Sequence, residues 1–383
     1  MTTQMKRVFF IILGLFIAIL SGPSAHTSEV KPASDGLRYK LSAMVPETGN
    51  IAFIGQPIHN ALILANEQMR ERLKEANIEI ELIFADTQGN PREAVTQFGR
   101  MADVEKVNGI ITTLSGVIGA ISPLAKDRDI LFIGLTVDPT FLQTNTKAIR
   151  VYPSFEKEGK QLADLIKERS WKKVLVLHST DSATMYEVTK VLAPRLKANG
   201  VNATIDTFAV GQRDFKTLCA KYAGKKWDGV VYNGFGSELP FVGEACSAYP
   251  NISKAPKLSG CAMLDVKPDL RGNLTGIQFY TPAFLAKTSP EYENFSKRYV
   301  ERFPGMSSTY AAVYAYDAYL LLADALIKQS TTNPNTIKAE LMNSKKMLAQ
   351  EYKFDQNGDF QPDTLLVELS IDGTFKPVKA ETK

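Results

Sequence analysis

A serine at the end of an apolar run is the sharpest chemical feature of this sequence. Residues 107–124 read VNGIITTLSGVIGAISPL, and Ser115 and Gly116 interrupt the run before apolar residues resume at helical spacing. A serine at such a point serves as a nucleophile, as part of a phosphate-binding loop, as an anchor for another ligand, or as the N-cap of a helix. The other residues of the chain narrow these four alternatives.

Nucleophilic catalysis by Ser115 would require a histidine base and an acid that orients it. The histidines of the sequence are His26, His59 and His178. His26 lies close to the N-terminus, and His59 falls within a predicted amphipathic helix. Thr113 occupies the first glycine position of a G-x-S-x-G elbow. The pattern therefore argues against a serine hydrolase.

Phosphate and metal motifs are also missing from the sequence. GVIGAIS matches neither G-x-x-x-x-G-K-[ST] nor G-x-G-x-x-G. DQNGD at 355–359 resembles part of a calcium loop, but Phe360 and Leu366 stand where that loop needs a glycine and a bidentate acid. A hairpin turn built on Asn357 and Gly358 is predicted instead. We therefore expect no cofactor and no metal site.

Composition places the chain among globular proteins. It has 383 residues, of which 44% are hydrophobic and 22% charged, which is enough for two domains of ordinary size. The formal net charge is +4, and Lys6 and Arg7 at the N-terminus supply two of those charges. So weak a charge does not favour a nucleic acid or a membrane surface as partner.

The N-terminus has the three parts of a secretory signal peptide. MTTQMKR carries the positive charges, VFFIILGLFIAIL is uncharged and apolar, and SGPSA supplies small residues. A membrane span needs about 20 apolar residues, so an uncleaved anchor is the weaker alternative. Residues 1–25 are therefore predicted to be a signal peptide.

Three cysteines, Cys219, Cys246 and Cys261, lie close together in the sequence. An exported chain meets an oxidising compartment, where one disulfide would form and one thiol would remain. A Cys219–Cys246 bridge would join two successive helices, whereas the alternative is three buried thiols. The sequence leaves both open.

Strands and helices alternate in two successive runs. LRYKLSAMV, IEIELIFA, NGIITT and ILFIGL read as strands separated by helices, and KKVLVLH, VNATIDTFAV, WDGVVYN and APKLSG repeat the order. This alternation predicts two doubly wound α/β lobes with parallel sheets. From Ser289 to about Asn343 the chain becomes mostly helical, and these late segments are expected to return to the two lobes.

Ligands of doubly wound sheets bind beyond the carboxyl ends of the strands, where helix N-termini attract carboxylates and phosphates. Ser115 with Gly116 and Thr136 fall on this rim of the first lobe. Segments 178–182, 233–237 and 260–263 fall on the matching rim of the second lobe. An N-cap without ligand for Ser115, and an ordinary turn residue for Thr136, remain alternatives.

In their order, several motifs resemble those of type I periplasmic solute-binding proteins, and most closely the leucine/isoleucine/valine-binding type of ABC transporters. The similarity runs from about Arg38 to about Lys376, and its motifs are PETGNIAFIGQP, ADTQGNPREAV, GIITTLSG, KKVLVLHSTDS, WDGVVYNGFGSE and FDQNGDF. The resemblance implies two Rossmann-like lobes joined by a three-strand hinge, as in a Venus flytrap. Lobe one would comprise 38–150 and 281–347, and lobe two 151–280 and 348–383.

The resemblance also implies a ligand site. In members that bind amino acids, a serine and a threonine of lobe one hold the ligand carboxylate, and these roles fall to Ser115 and Thr136. Phe53 is expected to pack on the ligand side chain. The remaining predicted ligand-binding residues lie on the rims and the walls between the lobes: Gly116, Leu135, Asn233, Phe235, Ala262, Met263 and Tyr280.

One stretch departs from the family pattern. Amino-acid binders place an acid in a loop of lobe two to pair with the ligand ammonium, but LSGCAMLD has Cys261, Ala262 and Met263 there. Burying an ammonium without a counter-charge costs several kcal/mol. Either Asp265 or Glu238 replaces this acid, or the ligand has no ammonium group and is an aromatic, aliphatic or short dicarboxylic acid.

The function that the resemblance implies is capture of a small carboxylate-bearing molecule by hinge closure, and its delivery to an ABC permease in the inner membrane. The protein would be a monomer of the periplasm and would perform no covalent chemistry. A sensory receptor with the same fold is the main alternative, and an enzyme on a related two-lobed scaffold is a weaker one.

Overall fold

The computed structural model describes residues 36–234, 236–283, 290–306, 308–343, 345–348 and 351–378. The predicted signal peptide, residues 1–25, and the predicted site residue Phe235 lie outside the described residues. The boundaries predicted for the two lobes remain predictions.

Helices and strands form at the predicted segments and alternate through both lobes. The strands are β1 (Leu37–Val45), β2 (Ile78–Asp86), β3 (Gly109–Thr113), β4 (Leu131–Leu135), β5 (Ala148–Arg150), β6 (Lys173–Ser179), β7 (Asn202–Phe208), β8 (Gly229–Asn233), β9 (Lys257–Ser259), β10 (Gln278–Pro282), β11 (Lys345–Lys346), β12 (Glu351–Tyr352), β13 (Thr364–Leu369) and β14 (Phe375–Pro377). The helices are α1 (Ala52–Glu75), α2 (Pro91–Gly99), α3 (Ser115–Ala125), α4 (Phe155–Glu168), α5 (Ser182–Tyr186), α6 (Ala193–Ala198), α7 (Lys216–Tyr222), α8 (Leu239–Ser247), α9 (Pro250–Ser253), α10 (Pro290–Arg302), α11 (Tyr310–Gln329) and α12 (Pro334–Leu341).

Local sequence explains where several helices begin. The side chain of Asn90 accepts hydrogen bonds from the amides of Arg92 and Glu93, and Pro91 occupies the first position of α2, where a missing N–H costs nothing. Ser154 and Thr309 cap α4 and α11 in the same way. Helix α3 differs, because Leu114 at its N-terminus supplies no side-chain cap.

The two main sheets share one topology. The first has the order β2-β1-β3-β4-β5, with every pairing parallel. In the second, β7-β6-β8-β9-β10 repeats that order, and β13 and β14 extend it as antiparallel edge strands. Strand order reverses between β1 and β3 in one sheet and between β6 and β8 in the other. These reversals are the switch points at which doubly wound folds bind ligands.

Hydrophobic clusters cover both faces of each sheet. The first sheet packs on one face against α1 and α11 and on the other against α2 and α3. By length and composition, α11 is apolar enough to span a membrane, but 83% of its apolar window is buried inside the protein. This burial marks α11 as a core helix, because core helices of globular proteins pass the same test. Tyr352 and Phe360 join the core of the first sheet, so the chain packs there beyond the predicted boundary at residue 347.

The segments that connect the lobes hydrogen-bond to one another. Arg150 lies in the first of the three segments that pass between the lobes. Its amide donates to the carbonyl of Gly358, and its carbonyl accepts from the amide of Phe360, in the third of these segments. In the second segment, the amide of Ala283 donates to the carbonyl of Asp363. Residues 355–359 form the predicted hairpin turn, closed by the Asp355 amide on the Asp359 carbonyl at 2.9 Å. The turn positions Asp359 beside Arg150.

Cys219 of α7 and Cys246 of α8 form a disulfide, and Cys261 is a buried free thiol. Of the two alternatives left open by the sequence, the structure therefore has the bridge. The bridge closes a loop with a sequence separation of 27 residues in lobe two.

Breaking this bridge is expected to destabilise the protein by about 3.5 kcal/mol, because a closed loop of this size restricts the unfolded chain. The measurement is urea unfolding with and without reductant, with the Cys219→Ala/Cys246→Ala variant as control. Reductant should leave that variant unchanged. Finding three titratable thiols in the unfolded, unreduced protein would contradict the bridge.

Candidate ligand-binding site

A cavity of about 350 Å³ lies between the two lobes. Its walls come from the loops that follow β1 and β3 in lobe one and from the loops that follow β6 and β8 in lobe two. The two switch points therefore face each other across one cleft that is open to solvent on one side. The lobes approach closely here, since a Cβ atom on Gly116 would lie 3.9 Å from the Ser182 hydroxyl.

Ser115 and Thr136 meet at one end of this cavity. Their hydroxyl oxygens are 2.7 Å apart, and both residues line the cavity. Ser115 begins α3, whose first amide groups have no partners within the helix and no side-chain cap. The preceding residue, Leu114, has φ of 73°, a backbone conformation that only tight local constraints maintain in a non-glycine residue. Two hydroxyls and an uncapped helix N-terminus together form a site for a carboxylate.

The structure brings six of the ten predicted ligand-binding residues into the cavity wall. They are Phe53, Ser115, Gly116, Leu135, Thr136 and Ala262. Phe53 lies in the first turn of α1 and is 40% exposed, which suits a side chain that covers a ligand at the cavity mouth.

Three predicted residues lie elsewhere. Asn233 ends β8 and is buried, with its amide donating to Glu187 at 2.8 Å. Met263 is fully buried in the hydrophobic core of lobe two. Tyr280 lines a second, very small cavity beside the hinge prolines Pro153 and Pro282. None of the three side chains lines the large cavity, because Asn233 binds Glu187, Met263 packs in the core and Tyr280 lines the smaller cavity.

Apolar side chains form most of the remaining wall. In lobe one and at the hinge they are Ile51, Ile54, Leu114, Val117, Val137 and Phe155, and lobe two adds Ala183 and Val210. An apolar wall with polar groups at chosen points is typical of pockets for small organic ligands.

Two acids line the cavity, and no lysine or arginine among the described residues does. Asp181 caps α5, accepting from the amides of Ala183 and Thr184, while its second carboxyl oxygen has no partner within the described part of the chain. Asp265 ends the helical turn Cys261–Asp265, so it is the acid that the LSGCAMLD stretch places in the cavity wall. Glu238 accepts instead from the amide of Gly211 at 2.6 Å and lies outside the cavity wall.

Asp265 lies beside two tyrosines that sequence reasoning missed. The ring centroids of Tyr310 and Tyr152 are 5.4 Å apart, and both side chains line the cavity together with Asp265. Burial raises the pKa of Asp265 to about 7, and burial raises the pKa of both tyrosines well above its usual range. In the sequence, the signal that could have drawn attention to Tyr310 is Thr309, a helix-capping residue that places Tyr310 at the start of α11.

A second acidic group lies behind the cavity wall. Glu158 of α4 accepts from the amide of Cys261 at 2.8 Å, and burial raises the pKa of Glu158 to about 7. Glu187 is also buried, and its pKa is raised by that burial and by the neighbouring Glu158. The Glu158–Cys261 hydrogen bond ties the loop that carries Ala262 and Asp265 to α4.

The structure gives Ser115 no histidine base among the residues it describes. His59 contacts Glu47 at 2.7 Å, and the buried His178 contacts the carbonyl of Ser179 at 2.8 Å, both away from the cavity wall. Within the same described ranges, no cluster of three metal-ligating side chains is found.

Two doubly wound lobes that enclose a ligand-sized cavity at facing switch points define a two-lobed binding protein. A family model described as periplasmic binding protein matches residues 39–369, and the chain belongs to this family, within which it has the type I fold. Comparison with curated protein sequences finds no significant match.

Solved structures share the fold over nearly the whole chain. A leucine-binding protein from Thermotoga maritima is 22% identical, with a TM-score of 0.76 over 89% of this chain and 98% of its own. The substrate-binding protein LivJ from Streptococcus pneumoniae, in complex with isoleucine, is 18% identical, with a TM-score of 0.75 over 90% and 100%. A solute-binding protein from Rhodopseudomonas palustris, in complex with 4-hydroxybenzoate, is 15% identical, with a TM-score of 0.78 over 90% and 96%.

Proposed function

We propose that this protein is the solute-binding component of an ABC importer and captures a small monocarboxylate by closing its two lobes around it. The observation that carries the proposal is the Ser115–Thr136 hydroxyl pair at the uncapped N-terminus of α3, inside the cavity between the lobes. The ligand would contact both lobes, so that binding stabilises the closed form. The carboxylate would accept hydrogen bonds from both hydroxyls.

Charge narrows the class of ligand. A second carboxylate on the ligand would meet Asp181 or Asp265, and no lysine or arginine among the described lining residues would compensate it. Short dicarboxylic acids, which the sequence left open, are therefore disfavoured. The apolar walls suit an aliphatic or aromatic body, and the complexes of LivJ with isoleucine and of the R. palustris protein with 4-hydroxybenzoate show both kinds of body in this fold.

The cellular setting belongs to the same proposal. Residues 1–25 would direct export, the mature monomer would reside in the periplasm, and the closed form would deliver its ligand to a permease of the inner membrane. Closure and release require no bond to be made or broken, so the proposal assigns no catalytic residue.

Titration calorimetry with a panel of leucine, isoleucine, benzoate, hydroxybenzoates and succinate tests the proposal. At least one monocarboxylate is expected to bind one-to-one, with small-angle scattering showing compaction on binding, whereas succinate should give no saturable heat. A folded protein that binds none of these monocarboxylates, or that binds succinate best, would contradict the proposed function.

A further inference from the structure

Positive charge is concentrated at the end of lobe two that lies opposite the cavity. The cavity lies beyond the carboxyl ends of the parallel strands β6–β9, so the amino ends of these strands form the opposite edge of the sheet. The chain reaches this edge in segments 167–173, 195–202, 223–229 and 254–257, which we call the basic edge. Its exposed cations are Lys167, Lys172, Lys173, Arg195, Lys197, Lys225, Lys226 and Lys254.

Hydrogen bonds join the segments of the basic edge side by side. The Asp228 carboxylate accepts from the amide of Lys172 at 2.7 Å, and the carbonyl of Lys172 accepts from the amide of Asn202 at 2.8 Å. The side chain of Asn251 donates to the carbonyl of Ala223 at 2.8 Å. The lysines that precede β6, β8 and β9 therefore belong to one continuous surface.

The basic edge has almost no acids to balance its cations. Its four segments contain ten lysines and arginines but only two acids, Glu168 and Asp228. None of the eight exposed cations forms an ion pair with another residue that the structure describes. The formal net charge of the whole chain is only +4, so the rest of the chain is net acidic. The weak net charge of the sequence therefore conceals a strongly cationic surface.

The corresponding edge of lobe one is different. There the cations at the strand starts and helix ends face acids, in the pairs Arg38–Glu79, Lys40–Glu81, Arg128–Asp103 and Lys147–Asp129. The two sheets share one topology, so the shared fold does not account for the charge of the basic edge.

An exposed apolar side chain lies at the same end of lobe two. Strand β13 runs antiparallel to β10, with Gln278 opposite Glu368, so the turn between β13 and β14 lies at the amino end of β10. Ile371 in this turn is 92% exposed, the highest value among the large hydrophobic side chains that the structure describes. Its neighbour Asp372 is paired with Lys376 at 2.8 Å, so the turn adds no free negative charge.

A bilayer with anionic phospholipids matches both features. A lysine close to such a surface strengthens binding about fivefold, and an apolar side chain beside the lysines enters the boundary between headgroups and acyl chains. A nucleic acid or another soluble polyanion would use the lysines but would leave Ile371 in water. The predicted export of the chain also brings it next to a membrane.

We propose that the basic edge of lobe two, together with Ile371, docks the protein on a bilayer that contains anionic phospholipid headgroups. Docked in this way, the protein stands on the far end of lobe two, and the cavity at the other end of that lobe stays accessible to its ligand. This inference goes beyond the proposed function and shares with it only the export of the chain. Binding to lipid requires no ligand, so the two are tested separately.

Co-sedimentation of the mature protein, without residues 1–25, with lipid vesicles tests the proposal. It should bind vesicles of phosphatidylglycerol and phosphatidylcholine in equal parts, should not bind pure phosphatidylcholine, and should be released as sodium chloride is added. Lys172→Glu/Lys225→Glu/Lys226→Glu should weaken binding to the anionic vesicles at least about 100-fold, because three attractive charges become repulsive. Thermal unfolding checks that the variant is folded.

Two further variants separate the basic edge from net charge alone. Arg70→Glu/Lys74→Glu/Lys126→Glu changes the net charge equally through exposed side chains at the matching edge of lobe one, and should weaken binding by no more than about threefold. Ile371→Ser keeps every charge and should weaken binding about tenfold, since it removes the apolar contact with lipid.

Contrary results are defined for each element of the proposal. Failure of the folded wild type to bind anionic vesicles at low salt would overturn it. Equal losses in the two triple variants would show that net charge, and not the basic edge, determines binding, and would overturn it as well. Tighter binding to duplex DNA than to the vesicles, with no effect of Ile371→Ser, would assign the basic edge to a soluble polyanion instead of a membrane. None of these results alters the calorimetric test of the proposed function.

Discussion

The Ser115→Ala/Thr136→Ala variant is expected to bind its carboxylate ligand at least about 100-fold more weakly than wild type. A hydrogen bond to a charged group is worth about 1.5–3 kcal/mol, and the double variant loses two of them. The hydroxyl oxygens lie 2.7 Å apart, so both reach the same carboxylate group. Calorimetry with the tightest monocarboxylate of the panel measures the loss.

A matched control is available on the same helix. Ser122 lies two turns beyond Ser115 in α3, is fully buried, and has no hydrogen-bond partner for its hydroxyl within the described residues. Ser122→Ala removes the same atom type from the same helix and should leave both affinity and thermal stability nearly unchanged. An unaltered affinity in the Ser115/Thr136 variant would mean that the carboxylate is held elsewhere in the cavity.

Arg150→Met is expected to lower the free energy of unfolding by about 3–5 kcal/mol, because it leaves a largely buried carboxylate without its cation. The Arg150 side chain is fully buried and forms an ion pair with Asp359. Its guanidinium also donates to the carbonyls of Thr136 at 3.0 Å, Pro153 at 2.7 Å and Phe360 at 3.1 Å. Methionine fills similar volume but satisfies none of these acceptors.

Urea unfolding of three variants measures this effect. Arg150→Met is compared with Arg150→Lys, which keeps the charge but loses the planar set of donors, and should therefore lie between wild type and Arg150→Met. The control is Arg128→Met, which removes an exposed pair with Asp103 at 3.2 Å and should cost at most about 1 kcal/mol. Equal stabilities of the Arg150→Met and Arg128→Met variants would show that the buried Arg150–Asp359 pair stabilises the protein no more than the exposed Arg128–Asp103 pair does.

Much of the fold could be predicted because its signals are local. Apolar spacing determined the positions of α1 and β1–β4, and the alternation of strand and helix required parallel sheets. The positions of Ser115 and Thr136 on the rim of the first sheet could be predicted because strand ends and helix starts are visible in a sequence, and both residues line the cavity. The Cys219–Cys246 pairing could not be decided, since a disulfide depends on the distance between two helices rather than on their spacing along the chain.

The rest of the site depends on tertiary packing. Asn233 and Met263 lie on the predicted rim, but their side chains turn toward Glu187 and the core of lobe two, because direction at a strand end is decided by neighbours from distant segments. Tyr152 and Tyr310 come from the hinge and from a late helix, and nothing in the sequence indicates that they meet. Asp265 lines the cavity and Glu238 does not, and this difference depends on the path of the helical turn Cys261–Asp265, which only the structure shows.

The two lobes are interleaved along the chain, since the chain returns to the core of the first sheet after building most of the second and then adds β13 and β14 to the second. The core of the first sheet contains α11, Tyr352 and Phe360, and Arg150 finds its counter-ion only in the turn at residue 359. A polypeptide that emerges from its N-terminus therefore cannot complete its first lobe until nearly all of the chain is available. A truncation before residue 355 would leave a buried cation without its anion, so the last part of the chain to appear decides whether the first part can fold.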